Sequence, residues 1–505
     1  MFRVFDSLNG IENMRLSLDA VRDAGKFAEA ALCYTGDILD PRRDKYDLKY
    51  YVTMAKELEK TGANSICIKD MAGLLKPEAA YQLVSALKEA VNVPIHLHTH
   101  EGSGNSIYTY ARAIDAGVDI VDVAMSAMSG GTSQPSGASL YYALSGHPRQ
   151  PHLDINALNE MSRYWESVRP YYKAIDNTVS YPNPEVYIHE MPGGQYSNLQ
   201  QQAKAVGLGE RWEDIKDMYH RVSMMFGDII KVTPSSKMVG DMALFMVQND
   251  LTEEDIYAKG DSLSFPASVV EFFEGRLGVP YQGFPQKLQQ IILKGRKPIE
   301  GRPGAALPPA DFEKVRASLA EMGAPTSDEA VSSYCLYPKV FSDWAVRHAE
   351  FGDVSVLDTP TFFFGMKTGE EIKVEIEQGK MLVIKLLQIG EANEDGIRTI
   401  FFEFNGLPRE IDIKDRNVKS TNVTRKKADK TNPGEIGATL SGSVVKLLVE
   451  KGQAVEKGTP LIVTEAMKME TTIAAPISGI VSQIHVAAGN RIESGDCLME
   501  IEIKA

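Results

Sequence analysis

The sequence is short of cysteine, of positive charge and of long apolar runs. Four cysteines (Cys33, Cys67, Cys335 and Cys497) are scattered over 505 residues, and no two form a CxxC pair. A disulfide framework finds no support in that spacing, and a reduced, cytoplasmic setting is the simple expectation. Lysine and arginine number 54 against 68 acidic residues, a formal net charge of −14. An extended nucleic-acid surface needs a basic face and an anionic membrane attracts a basic stripe, so neither partner is expected. The basic run Arg425-Lys426-Lys427 is short and lacks aromatic neighbours. No run of about 18 apolar residues exists to span a bilayer. Met1 to Asp6 lack the charged-then-apolar layout of an export signal. What remains is an ordinary globular composition, 43% apolar and 24% charged, with length for about three domains.

The first 150 residues alternate short apolar strands with helical stretches. The strands read Phe2 to Asp6, Glu29 to Tyr34, Ser65 to Lys69, Pro94 to His98 and Asp119 to Val123. Their spacing of about 25–35 residues predicts parallel βα units. Several end in a polar or ionisable residue, where a (β/α)8 barrel keeps its chemistry. Five units are found where a closed barrel needs eight, so an open parallel sheet is the competing reading. From about 151 to 325 the pattern is helical, with Leu158, Met161, Trp165 and Val168 on one face. Between about 326 and 420 β signals return, in Lys373-Val374-Glu375-Ile376 and Thr399-Ile400-Phe401-Phe402. Asn417 to Pro433 is charged and poor in apolar residues, and reads as a mobile linker.

The last 70 residues hold an internal repeat. Gly442, Gly452 and Gly458 recur as Gly479, Gly489 and Gly495, each pair 37 apart. Val444, Leu447, Val449, Val455 and Leu461 return as Val481, Ile484, Val486, Ile492 and Leu498. Two copies of one strand-turn-strand unit imply a small two-fold β-sandwich or barrel. Glu465-Ala466-Met467-Lys468-Met469-Glu470 lies between the copies, which puts Lys468 at the join. Its methionine neighbours are flexible and able to pack against an adaptable partner. This combination resembles the biotinyl domain of biotin-dependent carboxylases. The resemblance implies a covalent biotin on Lys468, attached by a biotin protein ligase. Lipoyl domains share the fold but usually lack the flanking methionines, and a surface lysine in an ordinary turn is the plain alternative.

His96, His98 and His100 alternate along one strand and so face one way. An HxH pair with one more ligand suits zinc or a similar divalent ion, although a satisfied polar layer has the same pattern. Lys69 closes the preceding strand, where an ion pair with Asp70 is the structural alternative. Thr233 precedes Pro234 and fits a helix cap from its residue type alone. Gly102-Ser103-Gly104 lacks the third glycine of a dinucleotide loop. Ser129 to Thr132 reads as a loop of phosphate-cradle or site-shaping type.

The chain resembles the carboxyltransferase region of the pyruvate carboxylase family. The resemblance rests on Phe5-Asp6-Ser7-Leu8-Asn9, Ile68-Lys69-Asp70-Met71-Ala72-Gly73, Leu97-His98-Thr99-His100, Thr132-Ser133-Gln134-Pro135 and Val232-Thr233-Pro234-Ser235-Ser236-Lys237. It continues through Leu336 to Val340 and Thr359 to Phe363, and covers essentially the whole chain. It implies a divalent metal (Zn2+ or Mn2+) held by His98, His100 and Lys69 as a carbamate, with His96 structural and one layer deeper. It implies that the Thr233 hydroxyl shuttles a proton between the pyruvate methyl group and the biotin nitrogen, so that carboxybiotin yields oxaloacetate. Lys237 and Asp6 fall on the substrate side, and for Asp6 a helix cap fits nearly as well. Glu101 stands where the family usually has aspartate.

The implied architecture is multidomain α/β plus β. Residues 1–165 form a partial carboxyltransferase barrel of TIM type, about the last five βα units, and 166–325 its helical extension. Residues 326–420 form a mixed α/β tetramerisation and allosteric domain, 421–433 a flexible linker and 434–505 the biotinyl domain. The family's aspartate metal ligand, its substrate-binding arginine, its first barrel strands and its ATP-dependent biotin carboxylase region have no counterpart in this sequence. The expectation is therefore the C-terminal portion of such an enzyme, homotetrameric in its full form. Two alternatives stand beside it: a carrier and assembly fragment inactive alone, and a subunit of a biotin-dependent oxaloacetate decarboxylase or transcarboxylase. The latter usually have a Pro- and Ala-rich connection and lack the middle β segment.

Overall fold

The structure, a computed structural model, describes residues 1–173, 175–176, 181–393, 396–415, 426–429, 432–439, 441–466 and 469–502. It divides into two compact units, Met1–Glu350 and Phe351–Ala505. In the first, β1 (Phe2–Val4), β2 (Ala28–Cys33), β3 (Ser65–Asp70), β4 (Ile95–Thr99) and β5 (Ile120–Val121) form one parallel sheet in chain order. All five strands fall where the apolar runs place them. Ala30, Leu32, Ile66, Ile68, Ile95 and Leu97 are fully buried, as strands covered on both faces require. Among the described residues the sheet stays open, and its edge strands are only 3 and 2 residues long.

The helices Leu48–Lys60 and Pro77–Ala90 cover this sheet. The first buries Tyr51, Met54, Ala55 and Leu58, and Asp47 caps it by accepting the Tyr50 N–H at 2.7 Å. The second buries Ala79, Ala80, Leu83, Val84 and Leu87, and opens on Pro77, whose missing N–H costs nothing in a first turn. Beyond the sheet the chain is helical. The helices Trp212–Met225, Ser235–Gln248, Ala267–Phe273 and Gln286–Leu293 pack around Tyr219, Phe226, Met242, Phe272 and Phe273. The expected helix over Leu158 to Val168 is present as Ile155–Tyr172, but only Val168 of its apolar face is buried and Met161 is 51% exposed.

A buried ion cluster joins the sheet to these helices. Arg43, in the loop after β2, binds Glu190, and its Nη2 donates to Asp228 Oδ1 at 2.7 Å. Lys231 Nζ adds a contact to Glu190 Oε2 at 2.7 Å. Burial opposes ionisation of Glu190, but Lys231 and Arg43 overcome it and hold the carboxyl at about 2. The folded-state value is depressed, so the stabilisation is complete above the ordinary value and is lost as pH falls towards 2. Arg43→Ala leaves two buried carboxylates short of a partner and is expected to cost about 3–5 kcal/mol in denaturant unfolding.

The stretch from 326 is helical first and β after, as a mixed α/β segment is. Asp328–Leu336, Pro338–Phe351 and Thr359–Phe364 are helices, started by the Ser327 cap, by Pro338 in a first turn and by the Asp358 cap. The boundary between the compact units falls after Glu350 rather than at 325. The β signals then appear as the antiparallel meander β6 (Glu371–Glu377), β7 (Lys380–Ile389), β8 (Ile397–Phe404) and β9 (Leu407–Lys414).

The repeat folds as its symmetry demands. The strands are β10 (Glu435–Gly437), β11 (Gly442–Leu447), β12 (Ala454–Val455), β13 (Pro460–Ala466), β14 (Met469–Ala474), β15 (Gly479–Ile484), β16 (Arg491–Ile492) and β17 (Cys497–Glu502). Two four-stranded sheets result, ordered β14-β13-β11-β16 and β10-β17-β15-β12. Strands 37 residues apart occupy equivalent places in the two sheets. Val444 with Val481, Val449 with Val486, Val455 with Ile492 and Leu461 with Leu498 share one core.

The expected linker needs a correction at its end. Cys497 N–H donates to Lys426 O at 2.7 Å and Ala428 N–H to Gly495 O at 2.8 Å. Lys426 pairs with Glu435 at 2.8 Å and Lys427 with Asp496 at 2.8 Å. The β domain therefore begins at Lys426, and these lysines serve as its clamps; 416–425 and 430–431 lie outside the described residues. Among the described residues no helix is long and apolar enough to cross a membrane.

Candidate functional site

The strand register assembles the site. Lys69 near the end of β3 stands opposite Cys33 on one side and His98 on the other. Its side chain is buried, with Nζ 4.2 Å from the centre of the Phe5 ring. No carboxylate pairs with it among the described residues. Asp70 is spent elsewhere, accepting the N–H groups of Leu74 and Leu75 at 2.9 Å and the Thr99 hydroxyl at 2.8 Å. The Lys69–Asp70 ion pair is thus not formed. Burial holds the Lys69 amine below its ordinary pKa, which favours the neutral amine that a carbamate requires.

His98 and His100 meet with their Nε2 atoms 3.2 Å apart. His100 Nδ1 lies 2.6 Å from Thr132 O, which only accepts, so Nδ1 carries the proton. His98 Nδ1 lies 2.7 Å from Asp122 Oδ2, and a carboxylate imposes the same tautomer there. Two Nε2 lone pairs then converge, an arrangement that repels unless a cation sits between them. The separation suits two ligands of one ion with metal–nitrogen bonds of about 2.0–2.1 Å. Burial above all pushes His100 down to about 4, which leaves its lone pair free at neutral pH. The donor set fits a divalent metal. Gly73 lets the loop after β3 pack against the backbone after β4: its φ is +72°, and a Cβ there would come within 2.6 Å of His100 O.

His96 sits one layer deeper, as expected for a structural residue. Its nitrogens lie 2.8 Å from Glu29 Oε2 and 2.9 Å from Asp122 Oδ1. Burial opposes its charge, but the hydrogen bonds to Asp122 and Glu29 raise its pKa above the ordinary value. Glu29, Cys67 and His96 have ligand atoms within 4.8 Å of one another. Glu29 and His96 are already bonded to each other and to Arg3 or Asp122, so this is a bonded lattice, not an open cage.

Thr233 lies in the segment that enters the helix Ser235–Gln248. Val232 before it packs in the same cluster as Ile68 and Leu97, which anchors the segment to the sheet. The Thr233 side chain is exposed and makes no cap bond among the described residues. Ser235 ties the turn instead, donating at 2.6 Å to Ile230 O or Val232 O. Three residues past Thr233, the Ser236 hydroxyl is buried without a hydrogen-bond partner among the described residues. Lys237 is half exposed and pairs with Asp241 at 2.5 Å. Asp6 does what a cap does: Oδ1 accepts the N–H groups of Leu8 and Gly10 at 2.9 and 2.8 Å, and Oδ2 the Asn13 amide at 3.0 Å. Its expected place on the substrate side has no contact in its favour. A cleft of ≈ 500 Å3, open to solvent, is lined by His100, Thr132, Tyr181, Asn183, His189 and Tyr196 among others. Asp122, Glu29, Arg3 and Ser236 carry no motif of their own; an arginine and a glutamate within apolar strands are the signal the sequence offers for two of them.

In the β domain, Ala466 pairs with Met469 across the β13–β14 connection. Lys468 is one of the two residues between these partners and lies outside the described residues.

Three families match the chain in series: an HMGL-like family over residues 18–164, a conserved carboxylase domain over 186–385 and a biotin-requiring enzyme family over 432–501. Pyruvate carboxylase of Bacillus subtilis (strain 168) is 58% identical over 503 residues, 99% of this chain and 44% of the relative. The mitochondrial human pyruvate carboxylase is 44% identical over 506 residues, again 99% of this chain, and 43% of the relative. The carboxyl transferase domain from Rhizobium etli pyruvate carboxylase superposes with a TM-score of 0.80 at 50% identity, covering 82% of this chain and 70% of that one. The complete multifunctional enzyme from the same organism gives a TM-score of 0.81 at 47% identity, over 99% of this chain and 46% of that one. The chain thus spans less than half the length of the curated relatives it matches.

Proposed function

As this chain belongs to the pyruvate carboxylase family and corresponds to its C-terminal region, we propose that it carries biotin on Lys468 and transfers a carboxyl group from that biotin to pyruvate, giving oxaloacetate. The observation that carries the reading is the pair of Nε2 lone pairs converging from His98 and His100 beside a buried Lys69 that has no carboxylate partner among the described residues. When bound, biotin supplies the nitrogen that carries the carboxyl group, and the divalent metal (Zn2+ or Mn2+) supplies a Lewis acid for the ketone oxygen. His98, His100 and Lys69, as a carbamate, hold the metal. Thr233 holds and moves the proton at Oγ1, since a hydroxyl donates and accepts at one atom. Lys237 binds the substrate carboxylate by exchanging it for Asp241. Asp6 braces the turn that places Phe5 over Lys69.

The same reading sets the partners. A biotin protein ligase modifies Lys468, and a biotin carboxylase region loads the biotin. The chain works as part of a homotetramer in a cytoplasmic setting, with its cysteines reduced. The meander β6–β9 favours this assignment over an oxaloacetate decarboxylase or transcarboxylase subunit. One observation favours a second reading, a carrier and assembly fragment inactive alone: the sheet is open at both edges among the described residues.

Oxaloacetate decarboxylation by the purified chain separates the two. The measurement uses protein shown by mass to be fully biotinylated and shown by elemental analysis to hold metal. Pyruvate release is the expected result. A loaded chain that turns nothing over would replace the proposal with the carrier reading.

A further inference from the structure

A hydrogen-bonded ladder crosses the whole parallel sheet beneath the histidine pair. Arg3 comes from β1, Glu29 from β2, Ser65 from β3, His96 from β4, and Asp122 directly follows β5. Arg3 Nε donates to Glu29 Oε1 at 2.5 Å and Arg3 Nη1 to Asp122 Oδ2 at 2.8 Å. Ser65 donates to Glu29 Oε2 at 3.0 Å. His96 bridges Glu29 and Asp122 at 2.8 and 2.9 Å. Both Asp122 oxygens are therefore fixed before His98 arrives, and Oδ2 still faces His98 Nδ1 at 2.7 Å.

We propose that Asp122 is a positioning residue for the metal site. Held by Arg3 and His96, it takes the Nδ1–H of His98 and so turns the Nε2 lone pair of that ring towards His100. An imidazole without such a partner distributes its proton over both nitrogens and rotates, so part of the population presents no lone pair to an ion. Outer carboxylates on ligating histidines raise metal affinity for this reason, and their loss typically costs about 10–100-fold. The inference rests on His98 and His100 being metal ligands. It adds that Asp122, a residue outside the ligand set, sets how well they bind through its contact with His98.

The test is Zn2+ affinity of the full chain, measured against a chromophoric chelator, together with 15N–1H spectra of the metal-free imidazoles. Asp122→Asn is expected to weaken Zn2+ binding by about 10–100-fold and to move His98 from a single Nδ1–H tautomer to a mixture. Glu29→Gln breaks the ladder but leaves the His98–Asp122 contact, so it is expected to weaken Zn2+ binding far less. Unchanged affinity in folded Asp122→Asn, or equal losses in the two variants, would make the ladder a purely structural tie. Should Asp122→Asn not fold, the wild-type spectrum decides: an Nε2–H tautomer at His98 overturns the proposal. If the wild-type chain binds no Zn2+ that His98→Ala removes, the metal reading itself fails, while the tautomer still tests what Asp122 does.

Discussion

Lys468→Ala is expected to leave a chain with no biotin and no oxaloacetate decarboxylation, while its metal content stays that of the wild type. Ala466 and Met469 pair directly, so only Met467 and Lys468 lie between the paired ends of β13 and β14. The motif holds no second lysine that could take the biotin in its place. The proposed metal ligands belong to a different compact unit, Met1–Glu350, so the substitution leaves their own unit intact. Whole-protein mass reads the modification, elemental analysis the metal and pyruvate release the activity. Residual decarboxylation by biotin-free protein would mean that the Met1–Glu350 unit acts on oxaloacetate without a carrier, contrary to the proposed role of Lys468.

Thr233→Ala is expected to reduce biotin-dependent decarboxylation by about 10²–10⁴-fold, the usual range for a lost proton-transfer group. Biotin content and metal content should not change. The hydroxyl has no cap bond among the described residues, and Ser235 ties the turn in its place, so little folding stability is at stake. Thr233→Ser keeps the hydroxyl and should retain most of the rate. Equal losses in the two variants would point to packing around the methyl group, and an unaffected Thr233→Ala would move the proton shuttle to another residue. Ser236, buried three positions on without a partner among the described residues, is the first to examine.

Much of this architecture is legible in the sequence. The five parallel strands stand where the apolar runs end in polar residues, because a strand buried on both faces has to be apolar along its length. The two-fold β domain was readable from a 37-residue periodicity, since equivalent strands bury equivalent residues such as Val444 and Val481. Strand alternation places His98 and His100 on one face and Lys69 at the end of the neighbouring strand, and the motif singles out Lys468 as the candidate for modification. Other parts resisted. Lys426 and Lys427 look like solvated linker because charge is a local property, whereas their partners Glu435, Glu493, Glu500 and Asp496 are chosen by the folded edge of the domain. The face of the helix Ile155–Tyr172 reads as buried although most of it is not, because periodicity reports amphipathicity and not what covers it.

The division between sequence and tertiary structure follows the range of the forces involved. Strand positions, the repeat, the modification motif and the spacing of the HxH pair depend on residues close together in the chain, and they can be read from it. Whether Thr233 caps a helix or offers a free hydroxyl depends on Ser235 taking the turn. Whether Lys69 pairs with Asp70 depends on a backbone loop and Thr99 claiming that carboxylate first. Asp122 gained its place under His98 only when five strands aligned Arg3, Glu29 and His96 across 119 positions of sequence. Competition for a hydrogen-bond partner is settled among neighbours in space, and only the folded chain decides which neighbours those are.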